Sequence, residues 1–115
     1  MATVTFQGDL SGQTDGKHIK VVATATAGTT IHTATSSGQD LVDLWAVNSS
    51  TSAVKLTIEW GEATAPDGNI EVTIPPESGE VQITDRKVIG NSLVVKAFAG
   101  SANVILLHGK FWNAA

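Results

Sequence analysis

Val54-Lys-Leu-Thr-Ile-Glu-Trp60 alternates apolar and polar residues without a break. Val54, Leu56, Ile58 and Trp60 share one side, and Lys55, Thr57 and Glu59 share the other. A period of two belongs to an extended strand and predicts one buried face and one wet face. Gly61 follows Trp60 and marks a strand end or a bulge, with Trp60 expected in the core. Asn69–Ile74 repeats the pattern, with Ile70, Val72 and Ile74 pointing in and Asn69, Glu71 and Thr73 pointing out. Val81 and Ile83 form a shorter copy.

Turn chemistry separates these runs. Asn48–Ser52 lies between two apolar stretches. Pro66-Asp67-Gly68-Asn69 combines Pro with an Asp-Gly pair suited to positive φ. Pro75-Pro76 cannot lie inside a central strand, because neither residue has an N–H to donate. Ala99–Ala102 joins Leu93–Phe98 to Asn103–Trp112, and both flanking runs carry apolar residues on two faces. That pattern predicts a deeply buried final hairpin.

Upstream, Lys17–Thr35 is rich in Thr and Ala, with Ile19, Val21, Ala23 and Ala25 alternating against Lys20, Val22, Thr24 and Thr26. Thr favours strands, and a turn at Ala27-Gly28-Thr29 predicts a hairpin onto Thr30–Thr35. Its Thr face is read either as a flat surface for a partner or as a solvent-facing ladder. Residues 40–48 allow two readings. Ser36–Asp40 suits a helix cap, with Leu41, Leu44, Trp45 and Asn48 at helical spacing. The strand reading puts Val42, Leu44 and Ala46 on one face and is preferred, as a hairpin with Ala53–Trp60.

The expected fold is all-β: one antiparallel β-sandwich domain over residues 1–115, with about eight strands, jelly-roll or immunoglobulin-like. Residues 1–6 form an N-terminal arm or an edge strand in this reading. No repeat of solenoid length is visible.

The 115 residues bound the function. With no Cys, thiolate zinc sites, disulfides and Cys nucleophiles are excluded. The formal charge is −4, and the basic residues are scattered apart from Arg86-Lys87. Nucleic-acid binding needs a dense basic stripe, so no nucleic-acid partner is expected. Val104–Leu107, an apolar run that no other exceeds, is far short of the roughly 20 residues that cross a bilayer, and no charged leader precedes an apolar stretch. No membrane partner is expected.

No catalytic, metal or cofactor site is expected. His18, His32 and His108 lack any metal-ligand spacing and are read as structural or surface residues. Asp40 with Asp43, and Glu59 with Glu62, are the nearest approach to a carboxylate pair, but short loops offer no cleft between them. Asp67-Gly68-Asn69 lacks the alternating ligands and distal Glu of a calcium loop. Neither a Gly-x-Ser-x-Gly nor a Gly-rich phosphate loop occurs. Phe111 and Trp112 are adjacent in a strand, so one of them must leave the core. An exposed aromatic there is a candidate partner anchor.

Trp45–Gly61, Thr64–Asp67 and Ile70–Gly79 together resemble small virion proteins of tailed bacteriophages, the capsid decoration or cement proteins. The likeness lies in short polar loops, Thr-rich strands and a lack of Cys. It implies a jelly-roll-like fold and a non-enzymatic role on the virion, after synthesis in the host bacterial cytoplasm. The implied partner is the major capsid protein, whose subunits a homo-oligomer (dimer or trimer) would bridge. Val4 and Phe6, in a Met1–Phe6 arm, and Phe111 and Trp112 are the contacts expected on that reading. The alternative is a receptor- or carbohydrate-binding module of a phage spike or tail.

Overall fold

The computed structural model describes residues 3–115, so Met1 and Ala2 of the expected arm lie outside the described residues. Among the described residues, nine strands make two antiparallel sheets: β1 (Val4–Gly8), β2 (Ile19–Lys20), β3 (Thr29–Thr33), β4 (Gln39–Asn48), β5 (Val54–Trp60), β6 (Asn69–Ile74), β7 (Val81–Gly90), β8 (Val94–Ala99) and β9 (Ile105–Ala114). Sheet A runs β1-β9-β4-β7, with β2 also on β9, and sheet B runs β3-β8-β5-β6. The expected sandwich is present, and residues 40–48 are strand.

The pairing order selects the jelly roll over the immunoglobulin-like alternative. β2 pairs with β9, β3 with β8, β4 with β7 and β5 with β6. These are the rungs of one long hairpin whose tip is the β5–β6 turn. Rolling that hairpin up adds the β4–β9 and β5–β8 pairings and closes both sheets. β1 and β2 are two halves of the first strand, since both lie along β9.

Three expected hairpins are therefore corrected. β4 and β5 lie in different sheets, as do β8 and β9, and as do β2 and β3. The loops between them cross the sandwich. Alternation says which face a residue takes but not which strand lies beside it. The β5–β6 hairpin is as expected, and Asn69 N–H closes its turn on Pro66 O at 3.0 Å. Gly68 is needed there for space rather than for positive φ, because a Cβ would run into Glu62 O.

The core follows the alternation. Val42, Leu44, Ala46, Leu56, Ile58, Ile74, Val95, Ala97, Ile105 and Leu107 face inward and are buried. Burying each of the larger side chains contributes about 1.5–3 kcal/mol. Trp60 is half-buried and packs against this core.

The wet face expected on β5 is corrected for Thr57 and Glu59, which are 4% and 2% exposed. The Thr-Ala tract does not form the ladder read from its sequence. It crosses from β9 to β8, with Val21 N–H on Ile105 O and Ala99 N–H on Ala23 O. On the way it lies over Glu59. That carboxylate accepts from the Thr26 hydroxyl and, at 2.6 Å, from Gly28 N–H. Gly28 is obligatory, because a Cβ would run into the Ala97 backbone.

Candidate functional site

The outer face of sheet A is the candidate site. Phe6 stands opposite Trp112, Trp112 opposite Leu41, and Leu41 opposite Val88. Alternation puts all of these on the outer side, so one apolar row crosses β1, β9, β4 and β7. Phe6 is 58% exposed, and Val4 and Val88 are also exposed. Trp112 and Leu41 are half-buried.

Cations flank this row. Two residues of β7, Asp85 and Arg86, oppose the single Asp43 of β4, which is a β-bulge. Arg86 takes a φ of 51°, and its N–H bonds the Asp43 carboxylate at 2.7 Å instead of the ladder. The bulge sets the Arg86 guanidinium 5.0 Å from the Trp112 ring centre. Lys110 lies 5.7 Å from Trp112 and 5.3 Å from Trp45. Phe6 meets the same indole edge-on at 5.6 Å. Trp45, Lys110, Trp112 and Arg86 thus form an alternating aromatic and cationic strip, with Phe6 against Trp112. Val4, Leu41, Arg86 and Trp112 line a shallow hollow of about 300 Å³ in it.

Of the expected contact residues, Val4, Phe6 and Trp112 are brought together on this face. Phe111 is not among them. It turns inward against the core, 4.5 Å from the His32 ring, as the alternation of adjacent residues requires. No protein-family profile, curated protein or solved structure matches this chain. The geometry of the faces therefore carries the functional reading.

A second feature lies where β1 breaks off between the sheets. Residues 9–18 leave the sheet and seal its side against β3. Gly12 N–H bonds Ile31 O, and Thr33 N–H bonds Ser11 Oγ at 2.7 Å. Under this loop His32 and Asp40 are buried, with Nε2 and Oδ2 2.7 Å apart. His32 Nδ1 accepts from Ser11 N–H at 3.0 Å, so the hydrogen bonds assign the ring proton to Nε2. Asp40 also accepts from Thr35 N–H and from the Asn113 amide. Ser11, His32 and Asp40 form a line that sequence spacing did not reveal. Its serine contributes a backbone N–H to the imidazole, while its hydroxyl accepts from Thr33. The arrangement fastens the loop; it does not aim a nucleophile.

Beside it runs a groove of about 380 Å³ whose lining includes Gln7, Asp9, Thr35, Phe111 and Asn113. Every buried polar side-chain atom among the described residues has a partner. Asp40 and Asp43 face opposite sides of β4 and share no cleft. Glu59 and Glu62 line one hollow of about 250 Å³, with Glu59 committed to its cover. Among the described residues, no group of three or more His, Asp or Glu is placed to hold a metal ion. His108 instead meets His18 edge-on at 5.7 Å. No helix among the described residues is long and apolar enough to cross a membrane.

Proposed function

We propose that this chain is a non-enzymatic structural protein of a phage virion. It decorates the outer surface of the capsid and bridges major capsid subunits through the outer face of sheet A. The observation that carries this reading is the outward-facing row of exposed Phe6 and Val88 and half-buried Trp112 and Leu41, flanked by Arg86 and Lys110. Large exposed aromatics beside arginine are the composition of interface hot spots. Docking removes this apolar surface from water, at about 25 cal/mol per Å² before association costs. Arg86 and Lys110 ask for an acidic rim on the partner, which steers encounter and fixes register. The Trp112 ring already has Arg86 and Lys110 near it and Phe6 edge-on to it, which favours a protein surface over a sugar stacked on the indole.

Co-sedimentation with capsids assembled from the major capsid protein of the same genome, without this chain, tests the reading. Binding at micromolar concentration is expected, and its absence would sink it. One observation favours a second reading. The groove beside Asp9, Phe111 and Asn113 has the mixed polar and aromatic lining that suits a glycan. A receptor- or carbohydrate-binding module would bind a glycan array with millimolar or better affinity and leave capsids untouched.

A further inference from the structure

The four sheet edges of this sandwich are not alike. An edge strand offers unpaired N–H and C=O groups, and proteins blunt such edges with charge, Pro, bulges or a covering segment. β7 is bulged twice against β4 and carries Asp85, Arg86 and Lys87. β6 carries Glu71 and ends at Pro75-Pro76. β3 is short, bulged and covered by the 9–13 segment through Gly12 and Ser11. β1 is as short as β3 and is irregular against β9 between Phe6 and Gly8, but along Val4–Phe6 it has no charge, Pro or covering segment. Val4-Thr-Phe-Gln-Gly8 contains no charge and no Pro, and Val4 to Gln7 are all exposed.

The open edge has a definite hydrogen-bond parity. Thr3 and Ala115 exchange both backbone bonds, Thr3 N–H to Ala115 O at 3.0 Å and the reverse at 3.2 Å. In an antiparallel ladder such pairs alternate, so Thr5 and Asn113 form the next bonded pair. The N–H and C=O of Val4 and Phe6 therefore point away from β9, into solvent.

We infer that β1 pairs antiparallel with β1 of a second copy, about a two-fold axis at Thr5. This register matches the parity. Val4 of each chain exchanges both backbone bonds with Phe6 of the other, and Thr5 faces Thr5 as the close non-bonded pair. It also sets exposed Val against exposed Phe, a favourable cross-strand pair, and brings no like charges together within the strand. The pairing is isologous and closed, which selects a dimer over the trimer. The axis stands perpendicular to the sheet, so both outer faces of sheet A look the same way. The dimer is thus two-headed toward one surface, a geometry that raises avidity for a repeating lattice. The dimer itself does not rest on the capsid reading, and its test needs no capsid.

The test is sedimentation equilibrium of the whole chain and of T5K and T5E. Thr5 bonds β9 through its backbone only, so both substitutions leave the β1–β9 ladder intact. The expected result for the unaltered chain at micromolar concentration is twice the 11.9 kDa of one copy. T5K alone and T5E alone are expected as monomers, with like charges facing across the axis, and an equimolar mixture is expected to recover the dimer. Circular dichroism of each variant must match that of the unaltered chain, and V4P serves as the second variant. Its missing N–H is one that faces solvent, so the monomer keeps its fold and the dimer is lost. A monomeric unaltered chain, or T5K and V4P that remain dimeric, would overturn the proposal.

Discussion

The two outer faces of this sandwich are built from the same kinds of strand and end in opposite states. The face of sheet B is covered by its own chain over Thr57 and Glu59. The 21–28 segment lies over Glu59, and Lys55 and Glu71 pair at 2.6 Å farther along. The face of sheet A is left open, with Phe6 and Val88 in solvent and two cations resting on indoles. The chain thus covers part of one face with its own loop and leaves an apolar row uncovered on the other. A contiguous exposed apolar patch is what a solitary soluble domain keeps small.

The largest effect expected from breaking this contrast is on the covered face. Glu59→Ala leaves the Thr26 hydroxyl and Gly28 N–H without their acceptor under the cover. Urea unfolding should show a loss of about 3 kcal/mol, as for a buried charged hydrogen bond whose partner is removed. Hydrogen exchange at Gly28 should quicken as well. A loss below about 0.5 kcal/mol, the scale of an ordinary surface change, would mean that Glu59 does not hold the cover.

The open face should respond the other way, with function moving more than stability. Trp112→Ala removes the centre of the row, and capsid affinity should fall by roughly 30-fold, the loss of a 2 kcal/mol hot spot. Thermal unfolding should shift by only a few degrees, because the indole is half-buried and outside the core. Equal loss of stability and binding would instead make Trp112 a packing residue. The smallest change is expected from Lys55→Ala. Its ion pair with Glu71 is exposed on both sides and should contribute less than about 1 kcal/mol in urea unfolding at moderate salt.

The inner faces of the sandwich were legible in the sequence, whereas the contrast between its outer faces was not, for a physical reason. Alternation over Val54–Trp60 and Asn69–Ile74 gave the inner faces of β5 and β6, and the adjacency of Phe111 and Trp112 gave their opposition. Val4 and Phe6 were named only as contacts of an expected terminal arm, and adjacency left open which of Phe111 and Trp112 is the outward one. Leu41, Val88, Arg86 and Lys110 were not recognisable, because a row across four strands depends on register, which a period of two leaves open. Arg86 reaches Trp112 only through a bulge that Asp43 stabilises from another strand. The Thr-Ala tract has good strand propensity, yet its hydrogen bonds go to a carboxylate and to both sheets. Tertiary context overrides propensity there. The Ser11–His32–Asp40 line likewise joins segments that only the roll of the sandwich brings together.

The most direct test of the open face is a cryo-EM reconstruction of capsids mixed with this protein, using capsids assembled without it. The expected map shows the sandwich on the capsid exterior with Phe6, Leu41, Val88 and Trp112 against the major capsid protein. Arg86 and Lys110 should stand over acidic side chains of that surface. A sandwich seated through the covered face of sheet B, or bare capsids at saturating protein, would contradict it.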